Sequence, residues 1–165
     1  MQRLARPLFI LLLVVSATVI VATAGQLPAQ IASHFGAGGA PNGWMSRQGY
    51  LLFMMVFAVG IPVAVVLAMG VLPRWKTGAI NIPNRDYWLA PARRDDTLGW
   101  LGAHACWLGS LLAVFIAALH LLLIEANALQ PPQLPLRPFI LLMVAFVLGM
   151  GVWAATLMLH FRQRS

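Results

Sequence analysis

Three observations predict an all-α fold, an integral membrane bundle of four helices. The 165-residue chain is 61% hydrophobic and 9% charged, more apolar surface than a soluble domain of this size can hide. The apolar residues gather into four stretches, Leu8–Ala24, Tyr50–Leu72, Leu98–Ile124 and Phe139–Leu159, each near or above the roughly 20 residues that cross a hydrocarbon core. The basic residues then alternate. Arg3 and Arg6 precede the first stretch, Arg74, Lys76, Arg85, Arg93 and Arg94 lie between the second and third, and Arg162 and Arg164 follow the fourth, while the other two connections hold only Arg47 and Arg137. Cytoplasmic loops retain Lys and Arg, so both termini and the middle loop are expected inside: N-in/C-in.

The elements follow in order, as one transmembrane domain over residues 1–165. A first helix is expected over about 8–24. A cleaved secretory signal is its rival, because Met1–Pro7 is a charged start, Leu8–Ile20 an apolar core and Ala22-Thr23-Ala24 an A-x-A site. Apolar character runs on to Ala24 without an early polar break, and a retained helix is the reading adopted. An outer loop, 25–49, is rich in Gly and Pro. Pro41-Asn42-Gly43 fixes one φ and follows it with two residues tolerant of φ > 0, so a structured turn is expected there. A second helix, 50–72, contains Pro62 two residues after Gly60, which predicts a kink. The cytoplasmic loop, 73–90, is basic and aromatic. A third helix, 91–125, is expected to start near Pro91, with Asp95 and Asp96 favoured by the dipole of its first turns. Its Ala105, Gly109, Ala113 and Ala117 recur every four residues, a stripe that lets another helix approach closely, either within the bundle or as a homodimer face. Residues 126–138 hold Pro131, Pro132, Pro135 and Pro138 and should be stiff and extended. A fourth helix is expected over 139–160. Tryptophans and tyrosines near the helix ends suit the two membrane interfaces.

Composition also excludes functions. The net charge is +7, but its basic residues are dispersed beside apolar stretches, where they meet anionic headgroups rather than nucleic acid. Cys106 is the only cysteine, so no intrachain disulfide can form. No H-E-x-x-H, G-x-S-x-G or P-loop pattern occurs, and an enzyme is not expected. No cofactor and no metal site is expected; a metal would require His34 to meet His120 or Glu125 in the fold.

Polar residues fall into three groups. On the outer loop, His34, Asn42, Trp44 and Arg47 form either a recognition surface for a peptide or lipid headgroup, or part of a folded cap with no ligand. In the cytoplasmic loop, Asn84, Asp86, Tyr87, Trp88 and Pro91 read as a structural turn into the third helix or as a docking surface for a partner, with Asp86 able to pair with Arg85, Arg93 or Arg94. Within the helices lie His104, His120, Glu125 and His160. Intramembrane ionisable groups are costly and point to function by default. His104, His160 and Glu125 sit near helix ends, within reach of water. His120 is deeper, on the side of Ala113 and Ala117, and should face the bundle and hydrogen-bond another helix. His120 and Glu125 are five residues apart, a poor spacing for one face.

The segment L-P-x-x-I-x-x-H-F-x-x-x-G-x-x-N-G-W, Leu27 to Trp44, resembles the hallmark of a bacterial membrane-protein family known as domain of unknown function sixteen forty-eight. Asn81-Ile82-Pro83-Asn84-Arg85-Asp86-Tyr87-Trp88-Leu89-Ala90-Pro91 resembles its second motif, N-x-P-N-x-x-Y-W-L-A-P. That domain also forms the N-terminal part of Sdp-type immunity proteins, which are longer and carry further helices. The resemblance implies a multi-pass protein of the bacterial inner membrane. It also implies a non-enzymatic role, such as immunity or envelope-stress sensing through the outer loop. The alternative is a small transporter, with Pro62 and His120 near its pathway, or a subunit of a larger membrane complex. The expected partners are the lipid bilayer and a peptide ligand or membrane protein, with a homo-oligomer also open.

Overall fold

The computed structural model describes residues 2–162; Met1 and Arg164, the latter one of the flanking charges, lie outside the described residues. Among the described residues four helices are long and apolar enough to cross a membrane, as in a multi-pass membrane protein. They are α1 (Gln2–Thr23), continued by a 3-10 turn at Ala24–Gln26, α2 (Arg47–Trp75), α3 (Arg94–Ala128) and α4 (Leu136–Arg162).

Helix boundaries differ from expectation in instructive ways. Helix α1 begins at Gln2, so Arg3 and Arg6 ride on its first turns. Helix α3 begins at Arg94 because Pro91–Arg93 form a turn, in which the Arg93 and Arg94 amides both bond to Ala90 O at 2.8 and 3.0 Å. At its other end α3 continues to Ala128, past the expected residue 125. Helix α2 is continuous but contains two π segments, Val56–Gly60 and Leu67–Val71. Each closes two residues before a proline, Pro62 or Pro73. Widening the turn ahead of a residue that cannot donate is one way a helix keeps its course.

The connection between α1 and α2 departs from the all-α expectation. It folds as an antiparallel hairpin of β1 (Gln30–Phe35) and β2 (Pro41–Ser46). Pro41-Asn42-Gly43, expected as the turn, instead opens β2. The chain reverses over Gly36–Ala40, closed by Gly36 N–H to Ala40 O and Gly39 N–H to Gly36 O, both 2.8 Å. Gly39 has φ +79°, a conformation that side chains resist.

Helix α3 is the hub. Helices α1 and α2 pack on it, and α4 packs chiefly on it as well. Close approach is set by small residues. A Cβ at Gly109 would lie 2.6 Å from Phe9 Cε2 of α1 and 2.8 Å from Val66 Cγ2 of α2, and one at Gly70 would lie 3.1 Å from Gly102 Cα. Ala105, Gly109 and Ala113 are buried, so most of the small-residue stripe is used within the chain. Ser16 adds a polar tie, donating to Leu12 O at 2.7 Å and reaching Ala113 O at 3.1 Å. At the hairpin end, Ile20, Leu27, Ile31, Tyr50, Met54, Ala58, Ile116 and Leu123 form the larger core.

Gly109 therefore provides a test of the packing. Gly109→Ala should destabilise the protein by about 1–3 kcal/mol, because two helices must retreat. Gly151→Ala on α4, where a Cβ would meet nothing within 4 Å, should be neutral. Reversible unfolding in mixed micelles compares the two; equal stability would refute the close packing.

Candidate functional site

The hairpin is held to the helices from behind. Asn127, buried in the last turn of α3, offers its amide to the main chain of Ala32. Its Oδ1 accepts Ala32 N–H at 2.8 Å, and its Nδ2 donates to Ala32 O at 3.0 Å and Leu123 O at 2.9 Å. Ala32 is fully buried. The hairpin tip is held by the connector that follows α3. Gln133 Nε2 donates to Gly38 O at 2.8 Å, and Leu134 N–H donates to Gly39 O at 2.9 Å. A Cβ at Gly39 would lie 2.8 Å from Gln133 Nε2 and 2.9 Å from Leu134 O, so glycine is required there for closeness as well as for φ. At the base, Ser46 caps α2 by accepting Gly49 N–H at 3.1 Å.

Beneath the hairpin lies a buried polar chain. His120 is fully buried, with Nε2 2.8 Å from Thr23 Oγ1 and Nδ1 2.8 Å from Tyr50 Oη. Thr23 Oγ1 is itself 2.6 Å from Val19 O, an acceptor only, so the hydroxyl proton goes there. Thr23 then accepts from His120 Nε2–H, which leaves Nδ1 to accept the Tyr50 O–H. The chain runs Tyr50 to His120 to Thr23 to Val19 with one proton per link and a neutral imidazole. It joins α1, α2 and α3 at one level. Among the described residues no buried side-chain nitrogen or oxygen lacks a hydrogen-bond partner.

The four candidates on this segment divide. His34, Asn42 and Trp44 are exposed, Trp44 at 51%. The strand register sets Ala32 opposite Trp44 and His34 opposite Gly43, the residue between Asn42 and Trp44. His34 rests against Gly43, where a Cβ would lie 3.1 Å from His34 Cβ and 3.2–3.4 Å from its ring, and its Nδ1 is 3.2 Å from Ser33 Oγ. Arg47 is different. It is half-buried, its amide bonds to Ala29 O at 3.0 Å and its Nε donates to Pro28 O at 3.3 Å, so it fastens the hairpin base. Glu125 is exposed on α3 and does not join His120, whose two nitrogens are taken. Among the described residues no three of His, Cys, Asp and Glu come together as a metal would need.

At the opposite, Arg-rich end, the second motif grips α4. Asn84, with φ +53°, donates from Nδ2 to Phe161 O at 3.2 Å, and Trp88 Nε1 donates to the same carbonyl at 3.2 Å. Five rings then stack in alternation. Trp88 lies 5.2 Å from His160, His160 3.9 Å from Trp100, Trp100 4.5 Å from His104 and His104 4.8 Å from Trp153, with interplanar angles of 28° or less. His104, expected within reach of water, is buried and exchanges hydrogen bonds with Trp153. Its Nε2 meets Trp153 O at 3.1 Å, and Trp153 Nε1 meets His104 O at 2.9 Å. The Arg partners expected for Asp86 are engaged elsewhere. Arg93 covers the Tyr87 ring at 3.9 Å, Arg85 Nη2 donates to Thr77 O at 3.2 Å, and Arg94 Nη2 reaches Arg74 O at 3.4 Å. Asp86 is exposed and, with Thr77, Arg85, Leu89 and Arg94, lines a cleft of about 260 Å³. Pro91 is exposed in the turn before α3.

Sequence reasoning missed Asn127, Thr23, Tyr50 and Gln133. Asn127 had a signal: Ala113, Ile116, His120, Leu123 and Asn127 recur at spacings of three and four, one helix face. Ending the helix at 125 cut Asn127 from that face.

Residues 11–59 match the family model described as a domain of unknown function, DUF1648. The matched stretch runs from α1 through the whole hairpin into the first π segment of α2. It contains Thr23, His34, Asn42, Trp44 and Tyr50, but not His120, Asn127 or the Asn84–Pro91 turn. No curated protein and no solved structure matched the chain.

Proposed function

We propose that this is a non-enzymatic protein of the bacterial plasma membrane, with both termini cytoplasmic, whose hairpin faces outward and recognises a peptide in immunity or envelope-stress sensing. Orientation rests on charge: among the described residues eight of the ten Lys and Arg belong to the end opposite the hairpin, and that excess marks the cytoplasmic side. The observation that carries the reading is the exposure of Trp44, flanked by His34 and Asn42, on a hairpin tied down by Asn127, Gln133 and Leu134. An aromatic side chain on a fixed support loses little freedom on binding, which favours recognition. In this reading Arg47 and the His120 chain support the surface rather than touch the ligand.

The test is complementation. A strain lacking the gene is challenged with membrane-active peptides and envelope stresses, then given wild type or His34→Ala/Trp44→Ala at equal membrane abundance. Wild type should restore survival and the double variant should not, because losing even one hot-spot contact weakens binding at least about thirtyfold. Full rescue by the double variant would remove the hairpin as the recognition surface.

A further inference from the structure

We infer that the free edge of β2 accepts an extended peptide as a third strand, centred on Trp44. This deepens the recognition reading above and rests on it. Main-chain geometry supplies the inference. Ala32 directs both N–H and C=O to the Asn127 amide, so neither group bonds β2. Ala32 and Trp44 are opposed in the register and must therefore be a non-hydrogen-bonded pair, in which both residues turn their main-chain groups outward. Ala32 turns them to the β1 edge and Trp44 to the β2 edge. Alternation makes Ile31 and Met45 the bonded pair, and it turns Ser46 N–H outward beside Trp44. The bond from Arg47 N–H to Ala29 O at 3.0 Å keeps this phase.

The two edges are thus treated oppositely. Asn127 closes the β1 edge by presenting one donor and one acceptor, as a neighbouring strand would. On the β2 edge, Trp44 N–H, Trp44 C=O and Ser46 N–H face outward. Pro41 and the register shift near Asn42 protect only the start of that strand. Open edges are templates for strand addition, with main-chain bonds giving affinity and alternate side chains giving selectivity. The occupant's chemistry follows from the surroundings. Residues 30–46 contain no Asp, Glu, Lys or Arg, and the Trp44 ring is half exposed. A short, uncharged, extended peptide with a β-branched or aromatic residue over Trp44 fits this edge.

The experiment uses the full chain in nanodiscs and a displayed library of random hexapeptides. The tightest binder is resynthesised with each backbone nitrogen methylated in turn. Strand addition predicts that methylation at alternate positions weakens binding about tenfold, one lost main-chain hydrogen bond, and that the intervening positions tolerate it. Two variants separate main chain from side chain. Trp44→Val keeps the N–H and should retain alternate-position sensitivity. Trp44→Pro removes an outward N–H and should bind about tenfold more weakly than Trp44→Val, with slow exchange of the Ala32 amide certifying that the hairpin is intact. Equal binding by all methylated peptides would overturn strand addition and leave side-chain recognition by the hairpin standing. Failure to find any hexapeptide that binds would overturn both. A wild-type mass of two chains per nanodisc, reverting to one in Trp44→Pro, would assign the edge to a second copy and overturn the peptide.

Discussion

Asn127→Leu should release the hairpin from the helices. The substitution removes the amide that satisfies both Ala32 N–H and Ala32 O, at a residue with no exposure. A buried main-chain group left without a partner costs about 1–3 kcal/mol, and two are affected, so a loss of about 2–4 kcal/mol is expected, limited by the hairpin lifting off to reach water. That escape is the measurable event. Amide exchange at Ala32, protected in the wild type, should accelerate at least about a hundredfold for a loss near 3 kcal/mol. Asn127→Asp retains an acceptor for Ala32 N–H but no donor for Ala32 O or Leu123 O, and should fall between. Unchanged exchange at Ala32 in Asn127→Leu would refute the role assigned to this residue. The same variant links structure to recognition: a hairpin that must first be ordered binds more weakly than one held in place, so ligand-dependent survival should drop although no exposed side chain has changed.

His120→Leu should destabilise the helix bundle, and Tyr50→Phe should partly repair it. Removing the imidazole strands the Tyr50 hydroxyl, whose hydrogen-bond partner is His120 Nδ1 at 2.8 Å. Thr23 keeps its bond to Val19 O at 2.6 Å and is less affected. An orphaned buried hydroxyl costs about 1–3 kcal/mol, whereas removing both partners can be nearly neutral. The double variant should therefore be more stable than His120→Leu alone, with a coupling of about 0.6–1.7 kcal/mol, the range for hydrogen bonds between membrane helices. Unfolding of the four proteins of the cycle in mixed micelles gives this number directly. Strictly additive losses would mean that the Tyr50–His120 bond contributes nothing.

The helices were readable because their signal is long and physical: an apolar stretch of this length has few other fates. The small-residue stripe was readable for the same reason, since Gly109 and Ala113 sit at the spacing of one helix face. His120 facing the bundle followed from its angle relative to that stripe. Its partners did not follow, because Thr23 and Tyr50 lie 97 and 70 residues away in sequence, and no local pattern encodes such a pairing. The hairpin was hidden by composition. Gly36, Gly38, Gly39 and Pro41-Asn42-Gly43 all suit turns, and only the fold settles that the chain reverses at the first three. Asn127 was obscured by a boundary error of three residues, since α3 ends at Ala128 rather than 125. The resemblance covering the hairpin pointed to the right segment, and residues 11–59 match that domain, but it does not reach the α3 residues that hold the hairpin in place.

One feature of the helix hydroxyls bears on how the protein is made. Ser16 and Thr23 each bond the carbonyl four residues earlier in α1, at 2.7 and 2.6 Å, and each also meets α3, at Ala113 O and at His120. The first set of bonds is local and needs no other helix. Helix α1 precedes α3 in the chain, and before α3 is made the hydroxyl protons of Ser16 and Thr23 already have these local acceptors. Packing against α3 then adds acceptance from His120 and a shared bond to Ala113 O without first breaking either local bond.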